Sequence, residues 1–209
     1  MTGPVYHPDI QQNTPEWDAI RAGKWTASSG AKIMGGLTTQ GLKDLIKDLA
    51  WGRVFGKTDS GFTSKAMDRG HEIEPQARDW FAFQHDAVIE QIGFVEHGRI
   101  PNLGWSPDGL YSERRRGVEI KCLLHKAWMD VHEDRQVPSE YRWQCRFACF
   151  IGGLDQIDFV AYHPFPGGIV IPMGVTDSER DQIEGRLAVL EPMVQARVDR
   201  LLEHKELAA

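Results

Sequence analysis

Residues 117–122, Gly-Val-Glu-Ile-Lys-Cys, constrain the fold more than any other part of the sequence. Side chains of a β-strand alternate between its two faces, so Glu119 and Lys121 share one face and the apolar side chains between them share the other. A strand with an apolar face must cover that face with another layer of structure. The segment therefore predicts a strand packed on a core, with Glu119 and Lys121 side by side on its other face.

A second segment, Ser106-Pro-Asp-Gly-Leu110, precedes this strand and is separated from it by a charged turn. A hairpin between strands 108–112 and 117–123 would bring Asp108 alongside Glu119. Two adjacent carboxylates repel each other unless positive charge lies between them, and Mg²⁺ fits because it prefers oxygen ligands. A neighbouring lysine can position an attacking water and help to deprotonate it. The pattern suits hydrolysis of a phosphodiester, although the same residues also fit an exposed edge strand with a Glu–Lys ion pair.

Hydrophobic periodicity and turn residues predict the other elements. Residues up to about 14 are expected to form an extended arm. Helices are predicted to begin at Thr14-Pro15 and at Ser28, the latter ending at Gly35-Gly36, and to cover 39–55, 64–85, 125–134 and 139–151. Further strands are predicted at 87–96, 156–163 and 168–173, and a capping box at Thr176–Glu179 is predicted to begin a helix that ends near residue 205.

This order of elements predicts an α/β (α+β) fold. We expect one domain over residues 1–209, with a helical part at about 15–85, a sheet core at about 87–175 and a C-terminal helix at about 176–205. Hydrophobic residues make up 41% and charged residues 26% of the chain, as in globular proteins. No apolar run is long enough to span a membrane, and no signal peptide is recognisable. The three cysteines do not form a disulfide framework. These features predict a cytoplasmic protein.

The formal net charge of −6 disfavours a protein that coats nucleic acid non-specifically, because phosphate contacts need cations. Contact with DNA would have to use a local track of positive side chains. Arg114, Arg115 and Arg116 could provide one or could be solvated. Four tryptophans could stack on bases or pack in the core: Trp17, Trp25, Trp51 and Trp105.

Four blocks in this sequence resemble, in the same order, those of one nuclease family. They are Trp17-x3-Arg21-x-Gly23-x2-Thr26-Ala27-Ser28, Gly70-x3-Glu74-x2-Ala77, Ser106-Pro-Asp-Gly-Leu110 with Glu119-Ile-Lys121-Cys122, and Tyr141-x2-Gln144. Together they span residues 17 to about 150. The sequence resembles the lambda-exonuclease / YqaJ-type viral recombinase family of the PD-(D/E)XK nuclease superfamily. The resemblance implies a restriction-endonuclease-like core in which helices flank a central mixed sheet.

The resemblance also implies roles for individual residues. Asp108 and Glu119 would ligate Mg²⁺ with help from the main-chain carbonyl of Ile120, and Lys121 would be the catalytic lysine. Glu74, preferred over Glu72 by its spacing, would complete the site and serve a second ion; Mn²⁺ is expected to substitute for Mg²⁺. The 5′-phosphate of the digested strand would be bound by Arg21, Ser28, Ser106 and Gln144, and the strand-separating wedge would be Met67.

The implied activity is that of a magnesium-dependent 5′→3′ exonuclease, which digests one strand from double-stranded DNA ends and leaves 3′ single-stranded tails. The resemblance further implies a homotrimeric ring threaded by DNA and a single-strand annealing protein as partner in phage-type recombination. Two alternatives stay open. One is a restriction- or structure-specific endonuclease with the same core, and the other is a non-catalytic DNA-end binding recombination protein.

Overall fold

The computed structural model describes residues 3–57 and 65–207, with side chains omitted at 65–68. Its helices are Pro15–Arg21 (α1), Gly30–Met34 (α2), Gln40–Phe55 (α3), Lys65–His85 (α4), His125–Asp134 (α5), Ser139–Gly152 (α6) and Asp177–Leu207 (α7). Its strands are Val5–His7 (β1), Trp25–Thr26 (β2), Ile89–Glu90 (β3), Phe94–Glu96 (β4), Leu103–Trp105 (β5), Gly109–Tyr111 (β6), Arg116–Cys122 (β7), Gln156–His163 (β8) and Gly167–Met173 (β9). Among the described helices, none combines the length and apolar character needed to span a bilayer.

The strands form two mixed sheets, in the orders β1-β4-β5-β2 and β3-β6-β7-β8-β9. In the larger sheet β7 and β8 are parallel and the other neighbours are antiparallel, as expected for a central mixed sheet flanked by helices. The α/β class is therefore confirmed. The smaller sheet was not predicted, because its strands are only two or three residues long and too short for a periodic signal.

The prediction of one strand over 87–96 was wrong. The segment divides into β3, which pairs with β6, and β4, which pairs with β1 and β5, so its two halves belong to different sheets. The division occurs at Gly93, where the N-terminal arm crosses so closely that a Cβ atom would lie 1.8 Å from the Ile10 carbonyl oxygen. A side chain at Gly93 would collide with the arm, so glycine is needed here.

The two faces of β7 pack against different helices. Val118 and Ile120 are buried with Ala77 and Phe81 of α4, as the alternation predicted. Glu119 lies on the opposite face, towards α6. The Glu119 side chain is therefore enclosed between the sheet and α6, while Val118 and Ile120 anchor the strand to α4.

The helix ends follow their local sequence signals. Thr14 accepts a hydrogen bond from the main-chain N–H of Trp17, with Pro15 in the first turn, and Thr176 and Glu179 cap α7 reciprocally at 3.2 and 2.9 Å. Ser28, however, does not begin an α-helix. It lies inside a 3₁₀ turn at Ala27–Ser29 that precedes α2, and its hydroxyl contacts that of Thr26 at 3.1 Å.

Helix α7 buries the stripe that its periodicity predicted and packs mainly against α3. The buried members of the stripe are Ile183, Leu187, Leu190, Val194 and Val198. Cys145 and Cys149 are buried free thiols that pack as small apolar side chains of the core.

Candidate active site

Asp108 lies where the chain passes from the smaller sheet to the larger one. The hairpin pairs Gly109 with Val118, and this register continued by one residue brings Asp108 beside Glu119, as predicted. The Asp108 Oδ2 atom accepts a hydrogen bond from the main-chain N–H of Ile120 at 2.6 Å. Because the N–H and C=O of one strand residue point to the same edge, the Ile120 carbonyl is directed towards the Asp108 side of the strand.

The Glu119 side chain is only 1% exposed, and its two oxygens differ in their contacts. Oε1 lies 2.6 Å from the Lys121 Nζ atom and also accepts a hydrogen bond from the side-chain amide of Gln144. Oε2 is buried and accepts no hydrogen bond from the described residues. A buried carboxylate oxygen without a donor is costly, and a bound cation would satisfy it.

Glu74 approaches the same region from α4. Its Oε1 atom lies 2.5 Å from the Nη2 atom of Arg78, and the Nε atom of Arg78 donates to the main-chain oxygen of Asp108 at 2.8 Å. Glu74 is half-buried in the cleft whereas Glu72 is exposed. Arg78 was not among the predicted site residues, although its position four residues after Glu74 is the spacing of a helical ion pair.

Burial shifts the pKa values of the acidic side chains upwards. It raises the pKa of Glu119 to about 7, an effect that the Lys121 ammonium reduces and Asp108 increases. Burial and the Asp108 charge raise the pKa of Glu74 to about 7, against the effect of Arg78. The pKa of Asp108 is also raised by burial. Three crowded acids that are reluctant to ionise together are typical of a site for a cation.

Lys121 keeps its proton in this environment. Burial alone would lower its pKa, but the Glu119 and Asp108 carboxylates outweigh burial and raise the pKa above its usual value. The Nζ atom also lies 5.3 Å from the ring centroid of Tyr141. Lys121 can therefore donate hydrogen bonds and positive charge to a bound phosphate.

The donor set fits a divalent cation with oxygen ligands. Asp108, Glu119 and the Ile120 carbonyl offer only oxygen atoms, the ligand type that Mg²⁺ prefers. In the part of the chain that the structure describes, no three His, Cys, Asp or Glu side chains are already arranged to hold a metal. Mg²⁺ is usually bound by one or two carboxylates, with water and substrate phosphate completing its shell.

Arg21 lies in the same cleft as the acidic residues. Its guanidinium stacks on the Trp17 ring, 3.8 Å from the centroid, and makes no side-chain hydrogen bond or ion pair with the described residues. Burial lowers the Arg21 pKa to about 10 against the opposing charge of Asp18, so the side chain is still positive at neutral pH. A stacked guanidinium whose donors are unused is suited to bind an anion such as phosphate.

One cleft of about 570 Å³ collects almost all of the predicted site residues. It is lined by Arg21, Ser28, Glu74, Ser106, Asp108, Glu119, Ile120, Lys121 and Gln144. Trp17 also lines it and donates from Nε1 to the Ser106 hydroxyl at 2.9 Å. The side chain of Met67, the expected wedge, lies outside the described residues.

Other candidate residues lie elsewhere or are already paired. Each arginine of the hairpin turn has a carboxylate partner: Arg114 with Glu90 at 3.2 Å, Arg115 with Asp155 at 2.5 Å and Arg116 with Glu113 at 3.1 Å. Trp25 and Trp105 are buried, although Trp105 also lines the cleft, and Trp51 packs at a tilt against Phe55 on α3. These contacts favour packing and surface pairing for all of them.

Comparison with family models identifies the relatives of this chain. The model of the YqaJ-like viral recombinase domain matches residues 16–155. The chain belongs to the YqaJ-like viral recombinase family. The match covers the four sequence blocks and the cleft they form.

Solved structures extend the comparison. This YqaJ-family chain is similar to an alkaline exonuclease (LHK-Exo) from Laribacter hongkongensis, with 26% identity, a TM-score of 0.84 and coverage of 94% of this chain and 100% of that one. The structure of LHK-Exo in complex with dAMP matches to the same extent. A phage-related exonuclease from Haemophilus somnus 129PT shares the fold, with 16% identity, a TM-score of 0.58 and coverage of 87% and 96%. No curated protein sequence matches significantly.

These likenesses confirm the expected PD-(D/E)XK-type fold. With family membership, they support a nuclease related to recombination.

Proposed function

We propose that this protein is a magnesium-dependent 5′→3′ exonuclease that digests one strand from double-stranded DNA ends and leaves 3′ single-stranded tails for phage-type recombination. One observation carries the proposal. A single cleft holds both an oxygen-rich cation site at Asp108 and Glu119 and a half-buried guanidinium at Arg21, stacked on Trp17, whose donors are unused by the described residues. The first feature suits phosphodiester hydrolysis, and the second suits a terminal phosphate.

The cation would be held by the carboxylates of Asp108 and Glu119 and by the Ile120 carbonyl. Glu74 would serve a second ion, and Mn²⁺ would substitute for Mg²⁺. When bound, such an ion polarises the phosphoryl oxygen and makes water a stronger nucleophile. The buried Glu119 Oε2 atom is the free acceptor that best supports this ligand set.

Lys121 would act directly on the reacting phosphate. Because the ammonium is held 2.6 Å from Glu119 Oε1, it is fixed beside the proposed cation site. There it can donate to a non-bridging phosphate oxygen and stabilise the charge that accumulates in the transition state. Gln144 shares Glu119 Oε1 with Lys121, so it would hold the Glu119 carboxylate as well as face the substrate.

End recognition would depend on the neighbours of Trp17. Arg21 would bind the 5′-phosphate through its two-pronged fork, with the hydroxyls of Ser28 and Ser106 and the amide of Gln144 as neutral donors. The relative LHK-Exo has been solved with dAMP. A 5′-mononucleotide is a product that an exonuclease of either polarity releases, so binding of dAMP by a relative supports a site for a nucleotide phosphate.

We propose one nuclease domain over residues 1–209, a homotrimeric ring around the DNA, a single-strand annealing partner and a cytoplasmic location. A ring is compatible with a net charge of −6, because cations are needed only along the channel. Molar mass measured in solution tests the ring, and a monomer that degrades long DNA processively would contradict it.

The catalytic assignment is tested with Lys121→Ala on linear duplex DNA carrying 5′-phosphates. We expect hydrolysis in Mg²⁺ to be abolished while DNA binding, measured by fluorescence anisotropy, is largely retained. Lys47→Ala is the matched control, since Lys47 is 62% exposed and paired with Asp44 on α3. Wild-type hydrolysis by Lys121→Ala would refute the mechanism. Binding without hydrolysis by the wild-type protein would favour the non-catalytic alternative.

A further inference from the structure

Arg78 links two of the proposed cation ligands with one rigid group. Its Nε atom donates to the Asp108 main-chain oxygen at 2.8 Å, and its Nη2 atom lies 2.5 Å from Glu74 Oε1. These two nitrogens lie on the same edge of the planar guanidinium. The rigid guanidinium of Arg78, with its fork of two donor nitrogens, therefore connects α4 to the loop of residues 106–108, the Asp108 loop.

The Asp108 loop depends on such contacts for its position. Residues 106–108 lie between β5 and β6, outside the strand pairing of either sheet. Each residue of the loop is instead held by a side chain from another part of the chain: Trp17 to the Ser106 hydroxyl at 2.9 Å, Gln12 to the Pro107 oxygen at 2.7 Å, and Arg78 to the Asp108 oxygen. Of these three, Arg78 is the one that also bonds to a carboxylate of the site.

We propose that Arg78 is a positioning residue that fixes Glu74 relative to Asp108 and thereby sets the affinity of the site for divalent cations. This inference rests on the proposed function. Arg78 has two opposing effects, because its charge repels a cation while its fork holds two ligands in place. We expect positioning to dominate, since loss of a residue that orients metal ligands typically weakens metal binding about 10–100-fold.

Titration of the DNA-free, full-length protein with Mn²⁺, followed by isothermal calorimetry, separates these effects. Arg78→Met removes both fork and charge, whereas Arg78→Lys keeps the charge and loses the fork. Arg69→Met is the matched control, because Arg69 is on the same helix and donates to the Cys122 main-chain oxygen at 3.1 Å. We expect the Kd for Mn²⁺ to rise about 10–100-fold in both Arg78 variants and to stay unchanged in the control.

The dependence of kcat on Mg²⁺ concentration gives a second readout. A positioning role predicts that the Arg78 variants need more Mg²⁺ for half-maximal kcat but approach the wild-type kcat at saturation, with an unchanged KM for DNA ends. A purely structural defect would not be rescued by Mg²⁺. Thermal melts establish that each variant is folded, and Arg78→Lys decides the question if Arg78→Met does not fold.

Three results would overturn the inference: wild-type Mn²⁺ affinity in both Arg78 variants, tighter binding by Arg78→Met, or wild-type affinity in Arg78→Lys. The first removes any role, the second shows that charge repulsion dominates, and the third shows that charge suffices without the fork. Wild-type protein that binds no Mn²⁺ would instead contradict the proposed function itself, so the two failures are distinguishable.

Discussion

Substitution of Arg21 should strongly weaken the ability to distinguish a 5′-phosphate from a 5′-hydroxyl. The guanidinium is stacked at 3.8 Å on Trp17 and forms no ion pair or hydrogen bond with a carboxylate of the described residues, so its donors are available to the substrate. A hydrogen bond between charged groups contributes about 1.5–3 kcal/mol. Two such bonds at the lower end amount to about 3 kcal/mol, because the cleft is open to water. At about 1.4 kcal/mol for each tenfold change, this corresponds to about 100-fold.

The assay compares kcat/KM on duplexes that differ only in their 5′ ends, bearing a phosphate or a hydroxyl. Arg21→Gln should reduce the phosphate-to-hydroxyl ratio by about 100-fold by lowering kcat/KM on the phosphorylated duplex. Arg21→Lys should give an intermediate ratio, because an ammonium keeps the charge without the fork. Arg115→Gln is the control, since Arg115 is 70% exposed and paired with Asp155. An equal loss on both duplexes, or an unchanged ratio, would refute phosphate recognition by Arg21.

Three further predictions concern stability. Mg²⁺ at about ten times its Kd should stabilise the wild-type protein by about 1.4 kcal/mol, which corresponds to a rise in Tm of about 3–6 °C. In thermal melts, the Glu119→Gln variant should lose most of this rise. An equal rise in both proteins would place the ion elsewhere. In urea unfolding, Gly93→Ala should destabilise the protein by about 1–3 kcal/mol, because the added Cβ atom would meet the Ile10 carbonyl oxygen. Gly185→Ala lies on an open helix surface and should stabilise the protein by about 0.5–1 kcal/mol. The reverse order of stabilities would contradict the packing. Burial, reinforced by the charge of Arg99, lowers the pKa of His97 in the folded protein. The contribution of neutral His97 to stability is therefore complete above about pH 6.5 and is lost as the pH falls through the lower pKa of the folded state. Between about pH 7.5 and 5.5 the His97→Asn variant should lose less stability than the wild-type protein, and parallel curves of unfolding free energy against pH would contradict this assignment.

Local sequence patterns predicted the centre of the cleft. Alternation along 117–122 was sufficient to put Glu119 and Lys121 on one face, and the hairpin brought Asp108 alongside because the turn between β6 and β7 is short. The capping box at Thr176 and the apolar stripe after it likewise predicted α7, because each signal involves residues that are close together in the sequence. Elements with local, periodic signals are therefore predictable from one sequence.

The division of 87–96 depends on a contact that is distant in sequence. The arm at Ile10 and the backbone at Gly93 approach each other across some 80 residues, and nothing in the alternation of 87–96 records that approach. The two- and three-residue strands of the smaller sheet also depend on contacts that are distant in sequence. They exist because partners from separate segments meet, as β2 and β5 do, and not because of any pattern of their own.

Side-chain partners within the site were predictable only in part. Arg78 could have been noticed from its spacing to Glu74, but its second bond, to the Asp108 carbonyl, requires the tertiary structure. Gln144 was expected to face a phosphate, yet it donates to Glu119 in the structure, which adds a role in holding the carboxylate. The hydrogen bond from Trp17 to Ser106 likewise joins two sequence blocks that carry no local sign of contact.

The direction in which linear duplex DNA is digested is the sharpest test of the proposed function. Each strand is labelled in turn at its 5′ or 3′ end, and products are followed with and without Mg²⁺, beside covalently closed circular DNA of the same sequence. We expect Mg²⁺-dependent release of mononucleotides from the 5′ ends, retention of 3′ single-stranded tails and an intact circle. Release from the 3′ ends, or cleavage of the closed circle, would contradict it.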